Sequence, residues 1–260
     1  MSGGGTASPP PDYGLDAPGV VRNLFLCGSA GVLLWLSKAL GLWPAALVVG
    51  PVRIELSQMG LFAGAGCLAM GTWMVWTSRF GKVRERDRLL DRIAWTGAER
   101  VLDVGCGRGL MLVGAARRLS TGRATGIDIW QAEDLSGNRP EATLENARRE
   151  GVKDRVEIQT ADMRRMPFPD GAFDVVLSSA AIHNLYAAPD RSKAIAEMAR
   201  VLKPGGQAVV DDIRHGREYA AAFAAAGCAR VESLGSPAAS FLLGLITMGS
   251  MRPCTLKVTK

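Results

Sequence analysis

Few residues in this sequence are of the kinds that hold metals or build disulfide frameworks. Among 260 residues there are five cysteines and two histidines. The cysteines are scattered, form no CxxC pair and lack the spacing of a zinc site. An odd, scattered set argues against a secreted disulfide scaffold and is typical of a reducing compartment. We therefore predict free cysteines and no metal site.

Signatures of phosphate and nucleic-acid binding are also missing. A glycine-rich turn at Gly105–Gly109 departs from the dinucleotide fingerprint GxGxxG, because Leu110 stands where that motif needs glycine or alanine. No Lys-Ser/Thr pair follows the turn, so a phosphate-binding loop is unsupported. The formal net charge is +6, but no basic segment carries interleaved aromatic residues that could stack on bases. Nucleic acid is therefore not an expected partner.

The N-terminal residues lack the pattern of a secretory signal, since no basic start is followed by an apolar run. Residues 1–19 are instead rich in glycine, serine and proline. This composition is typical of a disordered tail, which we predict over residues 1–19.

Charge is absent from the 21 residues Leu56–Trp76. About 20 apolar residues span a bilayer, so this run predicts a transmembrane helix. An earlier apolar stretch, Leu24–Gly50, also predicts a transmembrane span, but its pattern is weaker because Lys38 interrupts it. The two apolar stretches together predict a transmembrane hairpin over residues 20–78 that contacts the membrane through residues 24–76. The alternative is a buried helical hairpin of a soluble protein.

Three details complete this predicted hairpin. Pro51–Glu55 would be the short link between its helices. Gly60 and Gly64 form a GxxxG pattern, which permits close helix approach. From Arg79 to Arg88 there are five basic and two acidic residues, and such positive flanks stay in the cytoplasm. We expect an integral, multi-pass membrane protein whose remaining domain, residues 79–260, is cytoplasmic.

Strand and helix patterns alternate beyond residue 84. Strands are predicted at Arg100–Val104, Arg123–Ile127, Val156–Thr160, Phe173–Ser178, Gln207–Ile213, Ala229–Leu234 and Thr255–Val258. Helical patterns lie between the early strands, at Leu110–Leu119, Arg139–Glu150 and Arg191–Val201. The alternation predicts an α/β fold with a doubly wound, mostly parallel seven-stranded sheet. Ligands bind such sheets outside the carboxyl ends of the strands, where the strand order reverses.

Glycines and carboxylates follow the first three predicted strands. The first strand ends in the turn Gly105-x-Gly107-x-Gly109, and glycine lets a ligand approach the backbone closely. The second strand ends at Asp128, where a carboxylate can accept hydrogen bonds from ribose hydroxyls. The third strand leads to Asp162, which could accept from an exocyclic amine. A nucleoside site is predicted at this edge of the sheet.

The whole set resembles the class I S-adenosylmethionine-dependent methyltransferases, in particular the small-molecule branch of the ubiquinone and menaquinone type. The resemblance covers about residues 80–260. It rests on five segments in the family's order: Val101–Gly109, Asp128, Ala161-Asp162, Pro167–Asp174 and Leu202–Gly206. It implies a Rossmann-like methyltransferase fold, S-adenosylmethionine as cofactor, and methyl transfer to a small acceptor.

The resemblance also implies a set of cofactor-binding residues: Asp103, Gly105, Gly107, Gly109, Asp128, Ile129, Asp162, Met163 and Ser179. In the family's pattern the glycine turn admits the amino-acid end of the cofactor, and Asp103 orients the turn or meets the ammonium group. Asp128 then holds the ribose hydroxyls, and Asp162 with Met163 holds the adenine. Ser179 faces the methionine part. The alternative for Asp103 and Asp128 is a turn-capping role.

A base is needed if the acceptor is a hydroxyl group or a carbon acid. His183, just past the fourth strand, is the predicted base, and a hydrogen-bonded structural histidine is the alternative. Asn184 and Tyr186 are further candidates for contact with the acceptor. Trp130 follows Asp128 in a long loop, and it is predicted either to cover the nucleoside or to anchor the loop.

The predicted anchor favours an apolar or membrane-associated acceptor, such as a lipid or quinone. Ser236–Met251, an uncharged segment too short to span a bilayer, could rest on the membrane or line an apolar site. Two alternatives stay open. One is a metalloid or soluble small-molecule methyltransferase, in which Cys228 and Cys254 could act as thiols. The other is a non-catalytic nucleoside-binding membrane sensor.

Overall fold

A computed structural model describes residues 9–42, 47–54, 56–131, 133, 135–249 and 251–260. The chain divides into two compact units. The hairpin unit comprises Gly14–Lys82 and Ala132–Ser136. The domain unit comprises Met1–Tyr13, Val83–Gln131 and Gly137–Lys260.

Two long helices and a short strand pair build the hairpin unit: α1 (Pro18–Ala39), β1 (Leu47–Val49), β2 (Val52–Ile54) and α2 (Leu56–Trp76). A turn of π-helix, Thr77–Gly81, extends α2. The prediction of a first span to Gly50 and a link at Pro51–Glu55 is therefore wrong. The first helix ends at Ala39 because Gly41 takes a left-handed φ of 73°. β1 and β2 then pair antiparallel, as their β-branched residues favour.

Glycines let α1 and α2 approach each other closely. A Cβ built at Gly31 would lie 2.4 Å from the carbonyl oxygen of Gly60. One built at Gly64 would lie 2.8 Å from the carbonyl oxygen of Gly28. Since no side chain fits at these distances, the two backbones pack directly, as the GxxxG pattern predicts.

Both helices are long and apolar enough to cross a membrane, by length and composition. The candidate spans are Pro18–Ala39 and Ser57–Leu90, and 11% of the most apolar 18-residue stretch of each is buried. Large apolar side chains on their surface are exposed, among them Leu26, Leu33, Phe62 and Trp73. The alternative of a buried soluble hairpin requires these side chains to be covered, which they are not among the described residues.

The domain unit follows with α3 (Lys82–Leu90), β3 (Arg100–Val104), α4 (Leu110–Ala116), β4 (Arg123–Asp128), α5 (Pro140–Arg149), β5 (Val156–Thr160), β6 (Phe173–Ser179), α6 (Ala188–Val201), β7 (Leu202–Asp212), α7 (Gly216–Ala225), β8 (Arg230–Ser233), α8 (Pro237–Ile246) and β9 (Cys254–Thr259). Every predicted strand of this region is present. β7 begins earlier than predicted, because Leu202 pairs with Phe173 before the register shifts.

The seven strands form one sheet in the order β5-β4-β3-β6-β7-β9-β8. The first five in this order are parallel, whereas β9 runs antiparallel to both β7 and β8. The prediction of a mostly parallel seven-stranded sheet is confirmed. The strand order reverses between β3 and β6, so a ligand site is expected outside the carboxyl ends of these two strands.

Alternate residues of the strands build two cores, one on each face of the sheet. Leu102 and Val176 belong to the core that α6 and α7 cover. Val101 and Val175 belong to the core that α4 covers. Successive side chains of a strand point to opposite faces, so an apolar run buries both of its sides. The sheet is thereby held rigidly between two helical layers.

A short extended segment before the hairpin is bound on the surface of the domain unit. The Asp12 N–H donates to Asn146 Oδ1 over 2.9 Å, and Asn146 Nδ2 donates to the Asp12 carbonyl over 2.8 Å. Tyr13 is buried, and its hydroxyl donates to Glu150 over 2.5 Å. The prediction of disorder over residues 1–19 is therefore wrong for this segment. The first eight residues lie outside the described residues.

Candidate functional site

The edge of the sheet at the carboxyl ends of its parallel strands brings the predicted site residues together. After β3, the glycines Gly105, Gly107 and Gly109 have φ angles of 73°, 52° and 84°. A Cβ built at Gly105 would lie 2.3 Å from Ala181 Cβ, and one at Gly109 would lie 2.8 Å from Thr143 Cγ2. Glycine is therefore required both for the left-handed backbone and for the close packing around the turn.

Asp103 is buried at the base of this turn. Its Oδ2 accepts a hydrogen bond of 2.8 Å from the Leu112 N–H, in the first turn of α4. Its Oδ1 is buried without a hydrogen-bond partner among the described residues. Burial, with a contribution from the charge of Asp128, raises the pKa of Asp103 to about 7. The free oxygen is suited to accept from a cationic donor.

Asp128, at the end of β4, binds the glycine turn from the other side. Its Oδ2 accepts from the Gly107 N–H over 2.8 Å. Its Oδ1 accepts from the Trp130 N–H over 2.6 Å and from Asn138 Nδ2 over 3.3 Å. The turn-capping alternative thus describes part of what Asp103 and Asp128 do. A carboxylate has about four acceptor positions, so Asp128 can accept one further hydrogen bond.

Ile129 and Trp130 continue the chain beyond Asp128. Ile129 is exposed at the sheet edge. Trp130 adopts a left-handed φ of 62°, and its indole N–H donates to Thr160 Oγ1 over 2.8 Å. Thr160 ends the neighbouring strand β5, so Trp130 ties the two strand ends together. Of the two predicted roles, the geometry shows the anchoring one.

Asp162 and Met163 follow β5 and point to different partners. Both oxygens of Asp162 accept from Arg164, the shorter over 2.6 Å, and Arg164 also pairs with Asp190 over 2.9 Å. The hydrogen bonds from Arg164 hold the pKa of Asp162 below its usual value. A Cβ built at Gly105 would lie 3.6 Å from Met163 Cε. Met163 thus faces the glycine turn, whereas the Asp162 carboxylate is shared with an arginine.

The loop after β6 folds back onto the glycine turn. Ser179 ends the strand and is half-buried. Ala180 takes a left-handed φ of 50°, and its N–H donates to the Asp211 carbonyl over 2.8 Å. Ala181 then meets the turn as described above. His183, two residues later, is therefore held close to the predicted cofactor site.

His183 is oriented by a buried carboxylate that the sequence analysis did not identify. Its Nδ1 lies 2.6 Å from Asp212 Oδ1, and its backbone N–H donates to Asp212 Oδ2 over 3.1 Å. Asp212 also accepts from the Tyr219 hydroxyl over 3.2 Å and from the Ile213 N–H over 2.8 Å. An acceptor on Nδ1 favours the tautomer with a proton there, which leaves Nε2 free to accept one. Its position at the end of the fifth parallel strand is the feature of the sequence from which Asp212 could have been identified as a site residue.

Two neighbours of this pair have perturbed acidity. Burial, together with the charge of Asp212, raises the pKa of Tyr219, so its hydroxyl stays protonated and donates. Burial also raises the pKa of Asp211 to about 6, although the Thr255 hydroxyl donates to it over 2.6 Å. Asp211 and Asp212 are consecutive in β7, so their side chains point to opposite faces of the sheet.

The two cysteines of the metalloid alternative lie at opposite ends of the sheet. Cys254 pairs with Asp212 at the carboxyl end of β7. Cys228 precedes Arg230, which pairs with Thr259 at the far end of β9. Five strand residues separate these positions, a distance of roughly 17 Å. Burial raises the pKa of both thiols. At this separation Cys228 and Cys254 cannot act together as a thiol pair.

Residues 102–210, from β3 into β7, match the family described as methyltransferase domain. The chain is 36% identical over 130 residues to the methyltransferase GfsG of Streptomyces halstedii, covering 50% of this chain and 43% of that protein. It is 34% identical over 128 residues to the ubiquinone/menaquinone biosynthesis C-methyltransferase UbiE of Geobacter sulfurreducens, covering 49% and 46%. Residues 102–210 therefore match a methyltransferase domain.

A third relative of this methyltransferase domain is the phosphatidylethanolamine N-methyltransferase of Cereibacter sphaeroides. It is 34% identical over 140 residues, covering 53% of this chain and 63% of that protein. The chain thus spans less than two thirds of the length of each of these relatives. The names of the second and third relatives specify different acceptors, so the comparisons indicate methyltransferases but no single acceptor.

Solved structures share the fold of the methyltransferase domain. Geranyl diphosphate methyltransferase in complex with S-adenosylmethionine aligns with a TM-score of 0.51 at 19% identity, covering 68% of this chain and 84% of that one. The [4+2]-cyclase SpnF aligns with a TM-score of 0.53 at 20% identity, covering 95% and 98%. At such identities the likeness concerns the fold alone.

The residues at the sheet edge fit S-adenosylmethionine. The unpartnered Oδ1 of Asp103 suits the ammonium group of the donor. Asp128 keeps one acceptor position for a ribose hydroxyl. The three glycines of the turn carry no side chain that would block approach to their own backbone atoms. The methyltransferase domain therefore contains hydrogen-bond acceptors of the right chemistry for this cofactor.

Proposed function

We propose that this protein is a membrane-anchored methyltransferase that methylates a small, apolar or membrane-associated acceptor, such as a lipid or quinone. S-adenosylmethionine is the methyl donor, and His183 is the general base for an acceptor hydroxyl or carbon acid. The observation that carries the proposal is the contact between the loop containing His183 and the glycine turn. Ala181 packs on Gly105, so the base and the donor-binding turn share one edge of the sheet.

The assignment of the donor-binding residues belongs to this proposal. Asp103 accepts from the ammonium group, and Gly105, Gly107 and Gly109 let the amino-acid end lie on the backbone. Asp128 accepts from the ribose. The remaining members are Ile129, Asp162, Met163 and Ser179, which line the nucleoside and methionine parts. For Asp162 this requires that its carboxylate accept from the adenine amine while it stays paired with Arg164.

In the proposed catalytic step, the protein positions the acceptor and removes one proton from it. When bound, the cofactor supplies an electrophilic methyl group on a sulfonium, whose departure needs no acid. Asp212 holds the Nδ1 proton of His183 and fixes the ring, so Nε2 faces the acceptor as the base. Tyr219 and the Ile213 N–H hold Asp212 in turn. The packed loop excludes water from the base and keeps the acceptor in line with the methyl group.

The membrane anchor is supported by the two apolar helices and their flanking charges. Their apolar side chains are exposed rather than buried. The segment from Arg79 to Arg88 carries five basic and two acidic residues, which favours contact with anionic lipid on the cytoplasmic side. A tethered enzyme meets membrane-dissolved acceptors at a high effective concentration. The integral, multi-pass topology with a cytoplasmic domain remains part of the proposal.

Methyl transfer can be tested with membranes that contain the full chain and S-adenosylmethionine labelled in its methyl group. We expect label in material that partitions into organic solvent, and mass spectrometry then identifies the acceptor. Label confined to water-soluble products would contradict the apolar acceptor. No transfer to any extract, with intact cofactor binding, would instead favour the membrane sensor.

The role of His183 is separable from folding by three variants. His183→Gln should lower kcat by about 100-fold or more, because a general base contributes 10²–10⁴-fold. Asp212→Asn should lower kcat as well and move the pH profile, because the ring loses its fixed tautomer. His215→Gln removes the other histidine and serves as the matched control with near-normal kcat. Full activity of His183→Gln at its pH optimum would exclude base catalysis.

A further inference from the structure

Arg214 lies beside the proposed base without a carboxylate of its own. Its Nη2 is 3.5 Å from the backbone carbonyl oxygen of His183. Its Nε is buried and has no hydrogen-bond partner among the described residues. The acids nearby are already paired, since Asp212 binds His183 and Glu218 binds Arg191. This guanidinium is therefore uncompensated within the described part of the chain.

Several other partly buried arginines of the domain are ion-paired. Examples are the pairs Arg86–Glu150 at 3.1 Å, Arg191–Glu218 at 2.8 Å and Arg200–Glu197 at 2.6 Å. A buried donor without an acceptor is unfavourable, and most such groups in native proteins are satisfied. Arg214 departs from this pattern at the edge of the functional site. An anion from outside the chain would complete it.

Helix α8 lies at the same edge of the sheet as Arg214. β8 runs antiparallel to β9, and β9 runs antiparallel to β7, so β8 and β7 end on the same side. α8 starts shortly after β8. Arg252 connects α8 to the loop that contains Arg214. The backbone N–H of Arg252 donates to the Ile213 carbonyl oxygen over 2.7 Å. A Cβ built at Gly244 of α8 would lie 3.1 Å from Arg252 Nε.

The described residues of α8 and of the turn after it present an exposed apolar surface. Large side chains exposed there are Phe241, Leu242, Leu245 and Met248. No charged residue occurs from residue 236 to residue 251. An exposed apolar surface of this kind marks a contact site. Because Arg252 lies against α8 and its N–H is bonded to the residue before Arg214, the complementary molecule is apolar along its length and negatively charged at one end.

We infer that the acceptor is an amphiphile with an anionic head group, which pairs with Arg214 while its apolar chain lies along α8. The guanidinium forms charge-assisted hydrogen bonds with a phosphate or carboxylate. This deepens the proposed function and rests on it, since the head group then lies near His183. Binding itself needs no methyl transfer, so it can be measured separately.

Photo-crosslinking tests this inference on the full chain in neutral maltoside detergent. The reagent is dodecyl phosphate with a diazirine at the end of its chain, and the labelled peptides are mapped by mass spectrometry. We expect label within residues 236–251. A matched reagent with an uncharged maltoside head should label this segment at least fivefold less. Equal labelling by both reagents would overturn the inference and would show that α8 contacts any apolar phase.

Variants isolate the contribution of the arginine. Arg214→Gln should reduce the labelling at least fivefold, and Arg214→Lys should restore part of it, because lysine keeps the charge but loses the planar fork. Arg217→Gln removes an exposed arginine three positions away and should label like the wild type. Unchanged labelling of Arg214→Gln would overturn the inference.

Competition on the wild-type protein gives a result even if a variant folds poorly. Decyl phosphate should compete, whereas decyl trimethylammonium should not. Competition by phosphatidylglycerol in mixed micelles would identify a lipid as the source, and competition by decyl phosphate alone a smaller soluble acceptor. Full competition by inorganic phosphate would contradict a role for the ligand's apolar alkyl chain in binding.

Cofactor binding is measured on the same samples by equilibrium dialysis. Absence of S-adenosylmethionine binding, with selective labelling by the phosphate reagent intact, would contradict the proposed function and leave the anionic site standing. Cofactor binding with unselective labelling would contradict only the inference about the acceptor.

Discussion

The hairpin unit and the methyltransferase domain place the same kinds of side chain on opposite sides. Leu102, Val104 and Ile127 are fully buried in the domain. Leu26 and Phe62 of the hairpin unit are exposed. Burial of apolar surface contributes about 25 cal/mol per Å², and the domain obtains far more of that contribution from its own folding. The comparison shows that the pattern of burial, rather than apolar content, separates a domain core from an exposed apolar surface.

Glycine also serves different purposes in the two regions. In the hairpin unit, Gly31 and Gly64 are helical, and their missing side chains allow two backbones to touch. In the domain, Gly105 and Gly109 have positive φ in a tight turn. A side chain at either position would strain the backbone and would clash with a neighbouring side chain. Substitutions at these positions therefore have separate consequences for the two regions.

The largest effect is expected from Gly105→Ala. The new methyl group would meet Ala181 and would also strain a left-handed backbone. We expect S-adenosylmethionine binding, measured by equilibrium dialysis, to weaken by about a thousandfold, which corresponds to about 4 kcal/mol. Gly151→Ala is the matched control, since Gly151 has a φ of 70° but no atom within 4 Å of a built Cβ. Equal binding by the two variants would show that the turn is not crowded as described.

Asp103→Asn should stabilise the methyltransferase domain at neutral and alkaline pH. Burial raises the pKa of Asp103 to about 7, so between about pH 4 and pH 7 the folded state binds more protons than the unfolded state. The free energy of unfolding therefore falls as the pH rises through that range, by up to about 4 kcal/mol. Asparagine does not ionise, and its carbonyl can still accept from Leu112.

Thermal unfolding of the cofactor-free protein from pH 4 to pH 8 measures this effect. The midpoint for Asp103→Asn should exceed that of the wild type at pH 8 and approach it near pH 4. Asp154→Asn, at an exposed position, is the control and should follow the wild type throughout. A constant difference between Asp103→Asn and the wild type across this range would disprove the linkage. Cofactor binding by Asp103→Asn should weaken, which would connect the buried charge to the site.

Gly31→Leu should separate the helices of the hairpin unit. A built Cβ there is already 2.4 Å from a backbone oxygen of α2. Overpacking of this kind costs about 3 kcal/mol. Gly66→Leu is the control, because nothing lies within 4 Å of its built Cβ. Cysteine crosslinking between α1 and α2 in membranes should fall for Gly31→Leu alone, and retained crosslinking would contradict the glycine contact.

The smallest effect is expected from Tyr13→Phe, which tests the segment bound to the domain just before the hairpin unit. The variant loses the hydrogen bond to Glu150 and leaves the buried site otherwise filled. The free energy of unfolding should fall by about 1 kcal/mol. Tyr186→Phe changes an exposed tyrosine and should be neutral. If both variants unfold like the wild type, Tyr13 does not secure this segment.

Much of the methyltransferase domain was predictable because its signals are local. Strands such as Arg100–Val104 are apolar runs that end at glycine or acidic residues, and parallel strands collect those ends at one edge. The glycine turn and Asp128 meet there for that reason. Asp212 was missed, since its partner His183 is 29 positions away and neither residue has a local motif. The end of α1 was missed because a single glycine, Gly41, outweighed a long apolar run.

The alternation of strands and helices in the domain, the uncharged run of α2 and the residue types at the strand ends could all be read from the amino-acid sequence. These features depend on periodicity and on the chemistry of single residues. Three features depend on contacts between distant residues: the Asp103 oxygen and the Arg214 guanidinium that have no carboxylate or donor partner within the described residues, and the orientation of His183 by Asp212. Such properties depend on which groups distant parts of the chain bring within hydrogen-bond distance. No local pattern records that, because burial and pairing are set by the packing of the whole sheet.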